Sequence, residues 1–119
     1  MRRLLVVFAA LVALAVAAAP ARAASAVTVN DVATITGSVI VVSGTYSCTA
    51  TETASLGVTL RQGTKASKGG TNLSCPATAA PWTVNVPRGL LSPGTATATV
   101  TLTAPFSGNS QTTEEVLIV

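Results

Sequence analysis

The sequence predicts an all-β domain, an antiparallel β-sandwich of about seven short strands. Three observations carry that expectation. Beyond residue 20 the chain is rich in Thr, Val, Ser, Ala and Gly, and branching at Cβ stiffens χ1 in a way that suits a pleated backbone. Apolar and polar residues alternate with period two, and no 3.6-residue periodicity follows Pro20. Clusters of Gly, Pro, Ser and Asn punctuate the alternation at short intervals.

Each element follows from its local pattern. Residues 27–29 open a strand that continues or restarts over 32–35, and Gly37-Ser38 reads as a turn. Residues 39–48 form the next strand, with Ile40, Val42, Tyr46 and Cys48 on one face. Residues 54–62 follow, with Leu56, Val58 and Leu60 in phase. The stretch 63–81 is the least regular: turn clusters at 63–70 and 75–81 enclose one short strand over 71–75. Trp82, Val84 and Val86 then alternate with polar neighbours, and Pro87 to Gly89 and Ser92-Pro93-Gly94 read as turns. Ala96, Ala98, Val100 and Leu102 alternate with a row of threonines over 95–103. A turn at 105–109 leads into a last strand over 112–119. Six or seven such strands without intervening helices indicate a sandwich of the immunoglobulin-like kind, with a small barrel as the alternative.

The N-terminus predicts export. Met1-Arg2-Arg3 is a positive start, residues 4–19 are an unbroken apolar run, Pro20 breaks a helix, and Ala21-Arg22-Ala23 is a small-x-small site. That order is the pattern of a cleaved secretory signal. The competing reading, a membrane anchor, needs about 20 apolar residues, and this run is shorter. The chain therefore divides into a signal over 1–23 and a single domain over 24–119 that begins at Ala24, with Ala24-Ser25-Ala26 as a second, weaker cleavage site. The expected location is outside the cell, with no membrane span after cleavage.

Cleavage changes the charge balance. The full chain carries seven basic and four acidic residues, a net +3. Arg2, Arg3 and Arg22 leave with the signal. Arg61, Lys65, Lys68 and Arg88 then face Asp31, Glu52, Glu114 and Glu115, four against four, so the domain is near neutral. Basic character is thus no argument for nucleic-acid binding.

About 96 residues suit one domain, and a chain so short gains from a cross-link. Cys48 and Cys75 are the only cysteines. An even count in an exported chain reads as a disulfide, which would stabilise the fold by roughly 3–4 kcal/mol in the chain-entropy model. A separation of 27 residues fits neither a C-x-x-C redox pair nor a zinc knuckle.

Gly44-Thr45-Tyr46-Ser47-Cys48, Leu60-Arg61-Gln62, Cys75, Trp82-Thr83-Val84 and Pro93-Gly94 follow one another in an order that resembles a group of small secreted actinobacterial proteins, catalogued as a domain of unknown function. The likeness covers roughly residues 39–103. It implies an immunoglobulin-like sandwich and the pairing of the two cysteines, and it brings no activity. The pattern departs from antibody domains, where Trp lies between the cysteines.

The residues argue against catalysis. There is no His, which removes Ser-His and Cys-His pairs and most zinc and copper sites. Adjacent Glu114 and Glu115 point to opposite faces of a strand. Glu52 sits in a Thr- and Ser-rich stretch, and Asp31 follows Asn30 at a strand end, where such residues make local turns. Lys65, Ser67 and Lys68 read as a solvated tip rather than a Ser-Lys dyad. No phosphate loop or dinucleotide fingerprint is present. No catalytic residue, cofactor or metal is expected. Asn72-Leu73-Ser74 matches a glycosylation triplet, which the bacterial character of the signal discounts.

What remains is binding. Trp82 shares phase with Val84 and Val86 and reads as core rather than as a stacking platform. Phe106, flanked by Pro105 and Ser107-Gly108, is the best candidate for an exposed aromatic; the alternative is a lid over the core. The threonine row suits the wet face of a strand, although a hydroxyl array also suggests ice binding. Arg61, Lys65 and Lys68 cluster on a Gly- and Ser-rich hairpin tip that keeps the protein soluble or engages an anionic wall polymer or a protein. The expected function is a secreted, non-catalytic binding or interaction module. The alternative is a structural or inhibitor-type protein, with an enzyme third. Phe106 exposed beside the 61–70 segment would favour a small ligand or glycan. A rigid protruding loop tied near Cys75 would favour an inhibitor.

Overall fold

A computed structural model describes residues 25–119. The expected signal peptide, 1–23, and its cleavage junction lie outside the described residues. Six strands make up the domain: β1 (Ala26–Val27), β2 (Val32–Thr36), β3 (Val39–Gln62), β4 (Lys65–Pro87), β5 (Gly94–Thr103) and β6 (Ser110–Ile118). There is no helix among the described residues, and strands account for 77% of them. The all-β expectation holds.

Long strands replace pairs of short ones. The two expected strands 39–48 and 54–62 are one element, β3, of 24 residues. The stretch 63–81, expected to be irregular, is mostly strand: only Gly63-Thr64 turns, and β4 then runs for 23 residues. Pro76 and Pro81 read as turn residues in the sequence, yet both lie within β4. Among the described residues that strand pairs with β3 alone, so one side of its backbone needs no donor for a ladder, which is where strands tolerate proline. Pro76, Pro81 and Pro87, with Lys65 and Lys68, also discourage another chain from adding to that free edge.

The register shows how the long hairpin turns a corner. Pairing runs continuously from Val39↔Pro87 to Tyr46↔Ala80, and again from Glu52↔Cys75 to Gln62↔Lys65. Between these runs the only pair is Cys48↔Ala77. Extra residues on β4 before it and on β3 after it are bulges, which bend a ribbon and increase its twist. Ala79, at φ 47°, occupies the first irregularity, where its N–H donates to Ser47 Oγ at 2.9 Å. Cys48 and Cys75 are disulfide-bonded across the corner, Cα atoms 5.6 Å apart.

The bend creates two layers. In one, the first half of β3 lies between the second half of β4 and strands β1 and β2. In the other, the second half of β3 lies between the first half of β4 and β5, and β6 follows β5. On the side away from the corner, β2 pairs with β6 at Val32↔Leu117 and Ala33↔Ile118. That pairing is parallel, the one exception among otherwise antiparallel pairs, and the expected antiparallel sandwich holds around it. Hydrogen bonding therefore runs in a closed circuit through β3, β2, β6 and β5, a sandwich with the continuity of a barrel.

The core fills from the phases read in the sequence. Val42, Tyr46, Leu56, Val58 and Leu60 are buried, as are Trp82, Val84, Ala98, Val100 and Leu102. Each Val or Leu so placed contributes about 1.5–3 kcal/mol relative to exposure. The Trp82 indole is buried and donates to the carbonyls of Thr28 and Thr45 at 3.0 and 3.1 Å. Gly44, opposite Trp82 in the ladder, makes this possible: a Cβ there would overlap the Thr28 carbonyl oxygen and lie 2.8 Å from Trp82 Cζ2. Gly69 serves similarly at the far edge, where a Cβ would sit 2.7 Å from the Asn85 carbonyl oxygen.

Gly44→Ala should therefore lower stability by about 1–3 kcal/mol, the range for forced overpacking. Urea unfolding followed by emission of the sole tryptophan measures it. The folded variant should emit at longer wavelength, because the indole loses its seat between two carbonyls. An unchanged midpoint and spectrum would refute the role given to Gly44.

Candidate functional site

The bulge that bends β3 also builds the most distinctive surface loop. Residues 49–51 have no partner on β4, and backbone N–H groups withdrawn from a ladder need other acceptors. Ser107 supplies one. Its Oγ accepts from the N–H of Thr49 at 3.1 Å and of Ala50 at 2.9 Å, and the side chain is 3% exposed. Glu52, opposite Cys75 in the ladder, completes the clasp. Its carboxylate accepts from the N–H of Phe106 at 3.0 Å and of Ser107 at 2.6 Å. Asn109 Oδ1 accepts from Ala104 N–H at 3.0 Å, and the loop closes internally from Gly108 N–H to the Ala104 carbonyl at 2.6 Å. Ser25 Oγ donates to the Gly108 carbonyl at 2.5 Å.

Phe106 is the product of this arrangement. Its backbone is fixed by Glu52 while its ring is 82% exposed. The lid alternative is thereby excluded. A large apolar side chain held at the tip of a braced loop carries little flexibility to lose on binding, which favours its use as an anchor.

The Glu52 carboxyl is subject to opposing effects. Partial burial raises its pKa, while hydrogen bonds from the Phe106 N–H and from the Ser107 hydroxyl and N–H lower it; the net direction is below the usual carboxylate value. The three donors favour the charged form.

The basic residues lie elsewhere. Arg61 pairs opposite Thr97 and Ser55 opposite Thr103, so the loop after β5 and the Gly63-Thr64 tip stand at opposite ends of the layer. Six residues of strand, about 20 Å, separate them. The structure does not bring Phe106 together with Arg61, Lys65 and Lys68. It does place Arg61 and Lys68 on one outer face, since their ladder partners Ala66 and Thr59 put them diagonally adjacent, while Lys65, opposite Gln62, follows the other phase. All three are exposed.

Between the two ends lies an outer face of mostly polar residues, threonine foremost. Across it run Arg61, Thr97 and Glu115, then Thr59, Thr99 and Thr113, then Gly57, Thr101 and Gln111. The threonine row read in the sequence is thus the wet face of the layer, broadened by threonines of β3 and β6. Gly57 has open space where a Cβ would project, a hollow near the centre. A shallow, open depression of about 530 Å³ lies at the 88–92 turn, lined by Ser38, Arg88, Leu90 and Ser92 among others. Among the described residues no three His, Cys, Asp or Glu side chains gather in a metal-binding group.

Sequence reading found Phe106 but missed Glu52, Ser107 and Asn109. Asn109, just after Gly108, carries a local turn signal. Glu52 carries none, because it meets Phe106 across 54 residues of sequence. No known family model and no curated protein matches the chain.

The clasp predicts an acid response. Because the Glu52 pKa is lowered on folding, its contribution to stability is present above the ordinary glutamate value of about 4.3 and is lost as pH falls through the lower, folded value. Thermal melts from pH 7 to pH 3 should show Glu52→Gln less stable than wild type at pH 7, with the difference closing in acid. A difference independent of pH would contradict this.

Proposed function

We propose that this protein is an exported, non-catalytic interaction module that binds a protein partner through the 104–109 loop, with Phe106 inserted into an apolar pocket. The observation that carries the reading is the pairing of an exposed ring with a backbone fixed by Glu52. Of the two outcomes set out from the sequence, this is the rigid loop tied near Cys75, so the inhibitor-type role gains over small-ligand or glycan binding. The loop backbone is turned rather than extended, with Gly108 N–H on the Ala104 carbonyl, and Ser107 is buried. The loop therefore acts as a plug and not as a substrate mimic. The absence of His and the neutral composition of the domain support a non-catalytic role. The disulfide is compatible with an oxidising, extracellular setting, and among the described residues no helix is long and apolar enough to cross a membrane. Membership of the secreted actinobacterial group that the sequence resembles belongs to the same reading.

A second reading keeps the hairpin tip as the contact, because Arg61 and Lys68 sit together on one face. There an anionic wall polymer is the fitting partner, with binding screened over roughly 8 Å at physiological salt.

One experiment separates the two. Immobilised wild type, Phe106→Ala and Lys65→Glu/Lys68→Glu proteins are challenged with secreted proteins and with purified wall polymer. The proposal expects a protein retained by wild type and by the double variant and lost with Phe106→Ala. Equal retention by Phe106→Ala would overturn it, and salt-sensitive polymer binding abolished in the double variant would establish the second reading instead.

A further inference from the structure

Beyond that reading, the outer face of the β5 and β6 layer carries a pattern of residues that bears on association. We propose that two copies of this chain pack through the outer face of the layer that holds β5 and β6, related by a two-fold axis running along β5. The argument is geometric. A two-fold rotation about an axis parallel to a strand keeps each residue's height along the strand and exchanges the strands on either side. The neighbours of β5 are β3 and β6. Each outward residue of β3 therefore faces the residue of β6 at the same height in the second copy, and the β5 threonines face their own counterparts.

The registers give those pairs. Arg61 and Glu115 flank Thr97, Thr59 and Thr113 flank Thr99, and Gly57 and Gln111 flank Thr101. Across the axis a guanidinium meets a carboxylate, a hydroxyl meets a hydroxyl, and a long amide meets a residue with no side chain. Gly57 leaves open space above it, which receives Gln111 of the second copy. Every match occurs twice, as an isologous interface requires. An axis along β3 gives no such agreement: it would set Lys68 against Thr99 and Gly70 against Thr101.

The size of the face fits a reversible association. The three strands that face each other across the axis, β3, β5 and β6, about 4.8 Å apart over about ten residues, offer roughly 475 Å² per copy, so the pair would bury about 950 Å², in the range of weak, transient encounters. Its polar character is no obstacle, since non-obligate interfaces are about as polar as the remaining surface. Sheets packed face to face lie about 10 Å apart, a gap that Arg61 and Gln111 can span. Because the axis runs along the strands, both Phe106 loops emerge at the same end, and the dimer is bivalent.

Sedimentation equilibrium of the domain over a range of concentrations tests the proposal, with circular dichroism as the check on folding. Wild type should dimerise reversibly, and more weakly at high salt. Arg61→Glu or Glu115→Arg alone should raise the dissociation constant by about tenfold or more, because each places like charges opposite at two symmetric positions. The double exchange should restore association. Gly57→Gln, which the single chain accommodates in open space, should be monomeric. A wild type that stays monomeric to about 1 mM would overturn the proposal. So would a dimer unmoved by Arg61→Glu and Gly57→Gln, or a double exchange that fails to restore pairing.

Discussion

A strand of 24 residues would extend about 80 Å if straight. A compact domain of fewer than a hundred residues has a radius of gyration of only about 12 Å. The β3–β4 hairpin must therefore bend, and everything else in the fold is arranged around where it does so. The bend falls between Tyr46 and Glu52 on one strand and between Cys75 and Ala80 on the other, and the Cys48–Cys75 bond joins the two strands within it. On either side of that corner the same two strands serve different layers, so the corner sets the separation of the layers and the volume that Tyr46, Trp82 and the aliphatic side chains must fill. The Tyr46 hydroxyl donates to the Ser74 carbonyl at 3.0 Å, tying the face before the bend to the strand after it.

The same bend produces the surface. Bulging releases the N–H groups of Thr49 and Ala50 from the ladder, and Ser107 is drawn in to accept them. Glu52 stands at the first regular pair beyond the corner and holds the next two N–H groups of the loop. Phe106 is left outside because its neighbours are occupied inside. A site made this way is braced by a covalent bond at Cys75, the ladder partner of Glu52, which distinguishes it from the opposite end of the layer, where Lys65 and Lys68 follow a two-residue turn and guard an open edge.

Much of this was legible in the sequence, and the limits are physical. Strand phase was readable because alternation is a local property: Leu56, Val58 and Leu60 declare one face without reference to any partner. The disulfide was readable from a count. The continuity of β3 and β4 was not, because Pro76 and Pro81 are local breakers whose tolerance depends on β4 having a free edge, and that is a property of the assembled sheet. The parallel seam between β2 and β6 is likewise a matter of topology rather than composition. Phe106 was found as an exposed aromatic from its Pro and Gly neighbours. Glu52, which fixes it, lay among threonines with nothing nearby to mark it, since its partners come from another part of the chain. Gly44 was read as part of a motif, and its role became plain only with Trp82 lying against it.

Amide hydrogen exchange at Phe106 and Ser107, in the oxidised protein and after reduction of Cys48–Cys75, tests most directly whether the corner holds the loop. Exchange protection reports the free energy of local opening. If the corner governs the loop, both amides are protected in the oxidised protein and lose protection together on reduction, while the Thr99 and Val100 amides at the centre of β5 keep theirs. Exchange at open-loop rates in the oxidised protein, or protection at both amides that survives reduction unchanged, would contradict the account.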